Sequence, residues 1–188
     1  MAYVLEALIV RGAPEWPEPV TRLRRLVPLR SPDGLPLGLV PLTEDVQSRL
    51  GVDPASAPVL GFLELRQPVA DLAAEASLTA PVVYVHAGFS GGPGFQAAVG
   101  WRGGKIAFGP RFTTNHGSRL WHWLWNRRYQ VIRGKRPSGA PAAMAIDEAL
   151  QFLGVEAVGD LDEFDTVGLG AQRLTEDWLR PRKQGRSR

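Results

Sequence analysis

Tyr3 to Val10 is almost continuously apolar, the pattern of a strand with both faces covered. Val82 to Phe89 is rich in β-branched and aromatic residues, which suit a pleated, half-buried surface. Phe95, Ala97, Val99 and Trp101 then alternate with Gln96, Ala98 and Gly100, a period of two that predicts a strand with one buried face. Gly103-Gly104 fits a tight hairpin loop needing positive φ, and Lys105 to Gly109 alternates again before Pro110 ends the run. These runs predict an α+β domain: a central antiparallel sheet with a meander around residues 81–109, flanked by helices. It is expected to span residues 1–180 as one unit, with 181–188 as a basic, disordered tail.

The remaining elements follow from capping and breaker residues. Gly12 to Pro19 holds three prolines and reads as a surface connection. Leu26 to Leu29 and Leu37 to Leu42 flank a Ser31-Pro32-Asp33-Gly34 turn; Pro28, Pro36 and Pro41 make them edge strands or extended loop. Thr43 predicts a helix N-cap, with Glu44 and Asp45 in the first turn and Gly51 as the stop. Gly61 to Leu65 reads as a further strand, and Pro68 opens a helix over Val69 to Ala76. From Arg111 to Arg136 the period is ambiguous. Trp121, Trp123 and Trp125 alternate, whereas Leu120 with Leu124 and Trp121 with Trp125 fit helical spacing, and helix is favoured. Pro141 to Leu153 predicts a helix with Ile146, Leu150 and Leu153 on one face. Gly159 to Asp165 reads as an acidic connection, and Thr175 to Leu179 as one helical turn.

The 188 residues suffice for one well-buried domain, and 44% hydrophobic content argues against general disorder. With no cysteine there is no disulfide, thiol nucleophile or cysteine-ligated metal, which fits a reducing cytoplasm. The N-terminal apolar run is short and contains Glu6, a poor signal peptide, and no stretch reaches the roughly 20 apolar residues of a membrane span. The net charge of +3 is modest, but its distribution is uneven. Arg119 to Arg136 carries six basic residues and no acidic one, and Ser138 to Gly170 carries seven acidic residues and no basic one.

Candidate chemistry is sparse. Ser90, Gly91, Gly92 and Gly94, with Gln96 behind them, invite comparison with a phosphate loop, but the loop leads into a strand rather than a helix N-terminus. A structural turn is the plainer reading; a small-molecule enzyme using this loop is the third functional option. Ser90 lacks the GxSxG setting of a nucleophile elbow. His86, His116 and His122 show no metal-site spacing and read as structural or surface histidines. No cofactor or metal is expected, and the chain leans away from catalysis. The fullest cluster is Trp121, Trp123, Trp125, Arg127, Arg128, Tyr129 and Arg133. Its aromatics would stack on unpaired bases and its cations would neutralise phosphates, or the same set would anchor a protein partner.

The phrase Phe89-Ser90-Gly91-Gly92-Pro93-Gly94-Phe95-Gln96-Ala97-Ala98, with Trp101 and Gly104 behind it, resembles a strand–loop–strand signature of small uncharacterised bacterial proteins, F-G-G-x-G-x-Q-x-A followed by W-x-x-G. Ser90 departs from that pattern. The resemblance covers about 30 residues and implies an immunity-type or accessory protein that binds another protein; it carries over no catalytic residue. The Arg-, Ala-, Gly- and Pro-rich composition also resembles that of chains from GC-rich bacterial genomes. The expected function is therefore a non-catalytic cytoplasmic protein-interaction module, with single-stranded nucleic-acid binding through residues 119–136 as the alternative.

Overall fold

The computed structural model describes residues 2–12, 16, 26–90, 94–114 and 144–180. Among these residues six strands form one antiparallel sheet: β1 (Ala2–Arg11), β2 (Val27–Pro28), β3 (Leu37–Pro41), β4 (Val82–Ser90), β5 (Gly94–Arg102) and β6 (Lys105–Thr114). Their order across the sheet is β2-β3-β1-β4-β5-β6. Among the described residues four short α-helices accompany them: α1 (Glu44–Arg49), α2 (Gln67–Ala76), α3 (Ala145–Phe152) and α4 (Glu163–Thr166). This is the α+β fold that the hydrophobic pattern predicts, with β4, β5 and β6 as the meander.

Both faces of the sheet are covered, which explains why β1 is apolar throughout rather than alternating. On one face Leu8, Val10, Val82, Tyr84, Val99 and Trp101 pack with Val46 of α1, Phe62, and Val69, Leu72 and Ala73 of α2. On the other, Leu5, Ala7, Ile9, Val83, Val85 and Ala98 pack with Ile146, Ala149 and Leu150 of α3. Thr43 accepts from the Val46 N–H as the N-cap of α1, and Gly51 follows it at positive φ. Pro68 sits in the first turn of α2. Gly103 and Gly104, at φ 60° and 76°, close the β5–β6 hairpin as their sequence predicts.

Five expectations need correction. Leu37–Pro41 is not an edge: β3 lies between β2 and β1 and all five residues are buried. Its prolines are tolerated because Pro36 precedes the strand and Pro41 ends it, leaving the middle N–H groups free to pair. Gly61 to Leu65 is a turn rather than a strand, closed by Val59 N–H donating to Leu65 O, and it drops Phe62 and Leu65 into the core. β6 continues through Pro110 to Thr114, so Arg111 to Thr114 is strand, not helix. Among the described residues β6 pairs on one side alone, where a missing N–H is harmless, and a register shift against Ala98–Gly100 absorbs the irregularity. The helix expected from Pro141 begins at Ala145, after an extended Met144; residues 141–143 lie outside the described chain. Finally, the acidic connection contains α4, whose N-cap Asp162 accepts from the Asp165 N–H.

Candidate functional site

The glycine loop joins strand to strand: β4 ends at Ser90 and β5 begins at Gly94. Gly91 and Gly92 lie outside the described residues. The flanking glycines have a packing role. Gly88 pairs with Phe95 and Phe89 with Gly94 across the hairpin. A Cβ on Gly88 would meet Phe95 Cε1 at 2.7 Å, and one on Gly94 would fall on the Phe89 ring. Each phenyl ring therefore lies over the glycine opposite it, one ring on each face of the sheet. This cross-strand packing gives Phe89, Gly94 and Phe95 a structural role.

Gln96 faces away from any loop ligand. It is buried, and its Oε1 accepts from the Ile146 N–H at 3.0 Å, while Thr113 Oγ1 accepts from the Ala145 N–H at 3.1 Å. Side chains from β5 and β6 thus cap the first turn of α3, which carries no N-cap side chain of its own. Gln96→Ala should destabilise the fold by about 1–2 kcal/mol, read as a lower urea midpoint at unchanged m-value. An unchanged midpoint would show the cap to be dispensable.

Trp121, Trp123, Trp125, Arg127, Arg128, Tyr129 and Arg133 lie outside the described residues, as do His116 and His122. His86 is described and is 6% exposed, with Nδ1 lacking a hydrogen-bond partner. Among the described residues no group of three His, Cys, Asp or Glu side chains is placed to hold a metal ion, and no helix is long and apolar enough to cross a membrane.

Two further arrangements emerge, of which the sequence pointed to the acidic residues of the second but to neither set of contacts. The first surrounds Glu6 on β1, 8% exposed. Tyr84 Oη donates to Glu6 Oε1 at 2.9 Å and Gln47 Nε2 donates to Oε2 at 3.0 Å. Burial pushes the Glu6 carboxyl up to about 7, against the opposing pull of these donors. A lone Glu inside an apolar strand was the available signal, since Glu is rarely buried without partners.

The second is an acidic corner between α3 and α4. Buried Asp147 accepts from the Phe164 N–H at 3.2 Å and so joins the two helices. Burial, then the nearby Asp162 charge, lifts its carboxyl to about 6. Gln151 Nε2 donates to Glu163 at 2.6 Å across the same junction. On the connecting turn Glu156, Asp160 and Asp162 are exposed, as is Asp165 in α4. Among them stand two aliphatic side chains, Val158 and Leu161, each 49% exposed. The Leu161 N–H donates to Val158 O at 3.2 Å, fixing both on one tight turn. No family model, curated protein or solved structure matches this chain.

Proposed function

We propose that the protein is a non-catalytic protein-binding module, of the immunity or accessory type, that engages a basic protein surface through the turn between α3 and α4. The observation that carries this reading is the pairing of Val158 and Leu161, half exposed, with four exposed carboxylates around them. Exposed aliphatics supply area to bury, and the surrounding charge steers a basic partner and disfavours an acidic one. The residues from Ser138 to Gly170 contain no cation to offset that charge. The same charge repels phosphates, so nucleic acid is not the partner of this corner; that alternative rests on Trp121, Trp123, Trp125, Arg127 and Arg128, outside the described residues. The absence of cysteine supports work in the cytoplasm.

The test is affinity capture with the wild-type chain and with Leu161→Arg as parallel baits. Leu161→Arg places a cation and a bulky stem in the middle of the contact, and should weaken binding at least tenfold, roughly the range of a central contact residue. A protein retained by the wild type, lost with the variant and released by added salt is the expected result. Equal retention by both baits would overturn it. Tryptophan fluorescence titrated with single-stranded DNA and RNA addresses the alternative: quenching that fades steeply with salt would put nucleic acid in the partner's place.

A further inference from the structure

The acidic corner makes no use of two ionisable side chains buried side by side on the opposite face of the sheet. Glu6 on β1 and His86 on β4 are directly opposed in the antiparallel register. Side chains so placed start about 5 Å apart at Cβ. Yet the two turn to different neighbours. Glu6 is held by Tyr84 and Gln47, whereas the His86 ring stands edge-on to Phe95, centroids 4.8 Å apart, with Nδ1 unpartnered.

The groups facing them come from five places, two of which supply charged or titratable side chains. β4 supplies Tyr84, whose hydroxyl burial keeps protonated. The connection before α2 supplies Glu64 and Arg66, which pair with one another at 3.6 Å. α1 supplies Gln47, and the 3-10 turn Thr175–Leu179 supplies Thr175, whose hydroxyl accepts from the Glu6 N–H; both are uncharged. β5 presents Phe95 and Ala97 to His86, neither of them titratable. Among the described residues the nearest cation, Arg66, is paired with Glu64 and only partly offsets the Glu6 charge, and no carboxylate bonds to His86. Burial dominates at both: it raises Glu6 to about 7 and lowers His86 to about 4.

We propose that Glu6 and His86 form a pH-compensating pair: both are buried in their uncharged forms, so that the proton Glu6 takes up on folding in mildly acidic conditions is matched by the one His86 gives up. The signs follow from linkage. Glu6, with its folded value above the ordinary 4.5, adds stability that is complete below 4.5 and is lost as pH rises through about 7. His86, with its folded value below the ordinary 6.5, adds stability that is complete above 6.5 and is lost as pH falls through about 4. From about 4.5 to 6.5 the two slopes oppose, and the pair contributes almost no net pH dependence. A buried Glu6–His86 ion pair would carry the same net charge but needs two desolvated ions in contact, and the side chains make no such bond.

Urea unfolding from pH 4 to 8 of the wild type, Glu6→Gln, His86→Asn and the double variant tests this. The wild-type folding constant relative to Glu6→Gln should fall by about 100-fold between pH 4.5 and 7.5. Relative to His86→Asn it should rise by about 100-fold between pH 4 and 7. The double variant should run parallel to the wild type from 4.5 to 6.5. Asp147, on the far side of the sheet, titrates equally in all four and drops out of these ratios. Single variants whose curves parallel the wild type would overturn the proposal. Should a variant fail to fold, the imidazole resonances of His86 in the wild type decide: a neutral ring at pH 6 is expected, and an imidazolium there would overturn it.

Discussion

Gly109→Ala is expected to lower stability by about 3 kcal/mol, seen as a fall in urea midpoint without change in m-value. Gly109 lies at φ +76°, a region costing an L-residue about 1–2 kcal/mol. A Cβ there would also stand 2.8 Å from Ala98 O, 3.0 Å from Arg111 N and 3.3 Å from Val99 Cα. All three are backbone atoms of β5 or β6, so no rotamer change relieves them; the register between Ala98 and Gly100 would have to open. Gly103 provides the control. Its φ is +60°, but a Cβ there meets nothing within 4 Å. Gly103→Ala should therefore show the conformational part alone, about 1 kcal/mol. Equal losses at the two positions would mean that the close approach of β5 to β6 at Gly109 contributes nothing.

The same comparison shows what the chain makes legible and what it does not. The β4–β6 meander is readable because period, turn glycines and β-branched content agree over thirty residues, each a local property. Gly61 to Leu65 is mostly apolar too, but so short a stretch has the same appearance in a strand and in a turn whose side chains plug the core. β3 reads as an edge from its prolines, because local chemistry says nothing of a two-residue β2 lying outside it. Glu6 was visible as a carboxyl in an apolar run; its partners Gln47 and Tyr84 are 41 and 78 residues away, a separation no local pattern spans. The acids from Ser138 to Gly170 were equally visible, but not that Val158 and Leu161 among them stay out of the core. Gln96, grouped with the glycine loop by proximity in sequence, belongs to α3 by contact.

Leu150→Ala is expected to cost about 3 kcal/mol, within the 2–5 kcal/mol usual for truncating a fully buried leucine. Leu150 is completely buried, in the cluster that α3 forms with the inner residues of β4 and β5. Eight residues are too few to hold a helix in water, so α3 depends on this packing and on the caps from Gln96 and Thr113. It also carries the acidic turn: Val155 N–H donates to Leu150 O at 2.9 Å, and Arg102 donates to Phe152 O at 3.3 Å where the helix ends. Set beside Leu161→Arg, the substitution separates scaffold from surface. Leu150→Ala should shift the unfolding midpoint while the folded fraction still binds the partner. Leu161→Arg should leave the midpoint within about 0.5 kcal/mol of wild type, as surface changes do, and lose the partner. If Leu161→Arg unfolds the protein as readily as Leu150→Ala, then Leu161 works as part of the core, and the turn between α3 and α4 is not a binding surface.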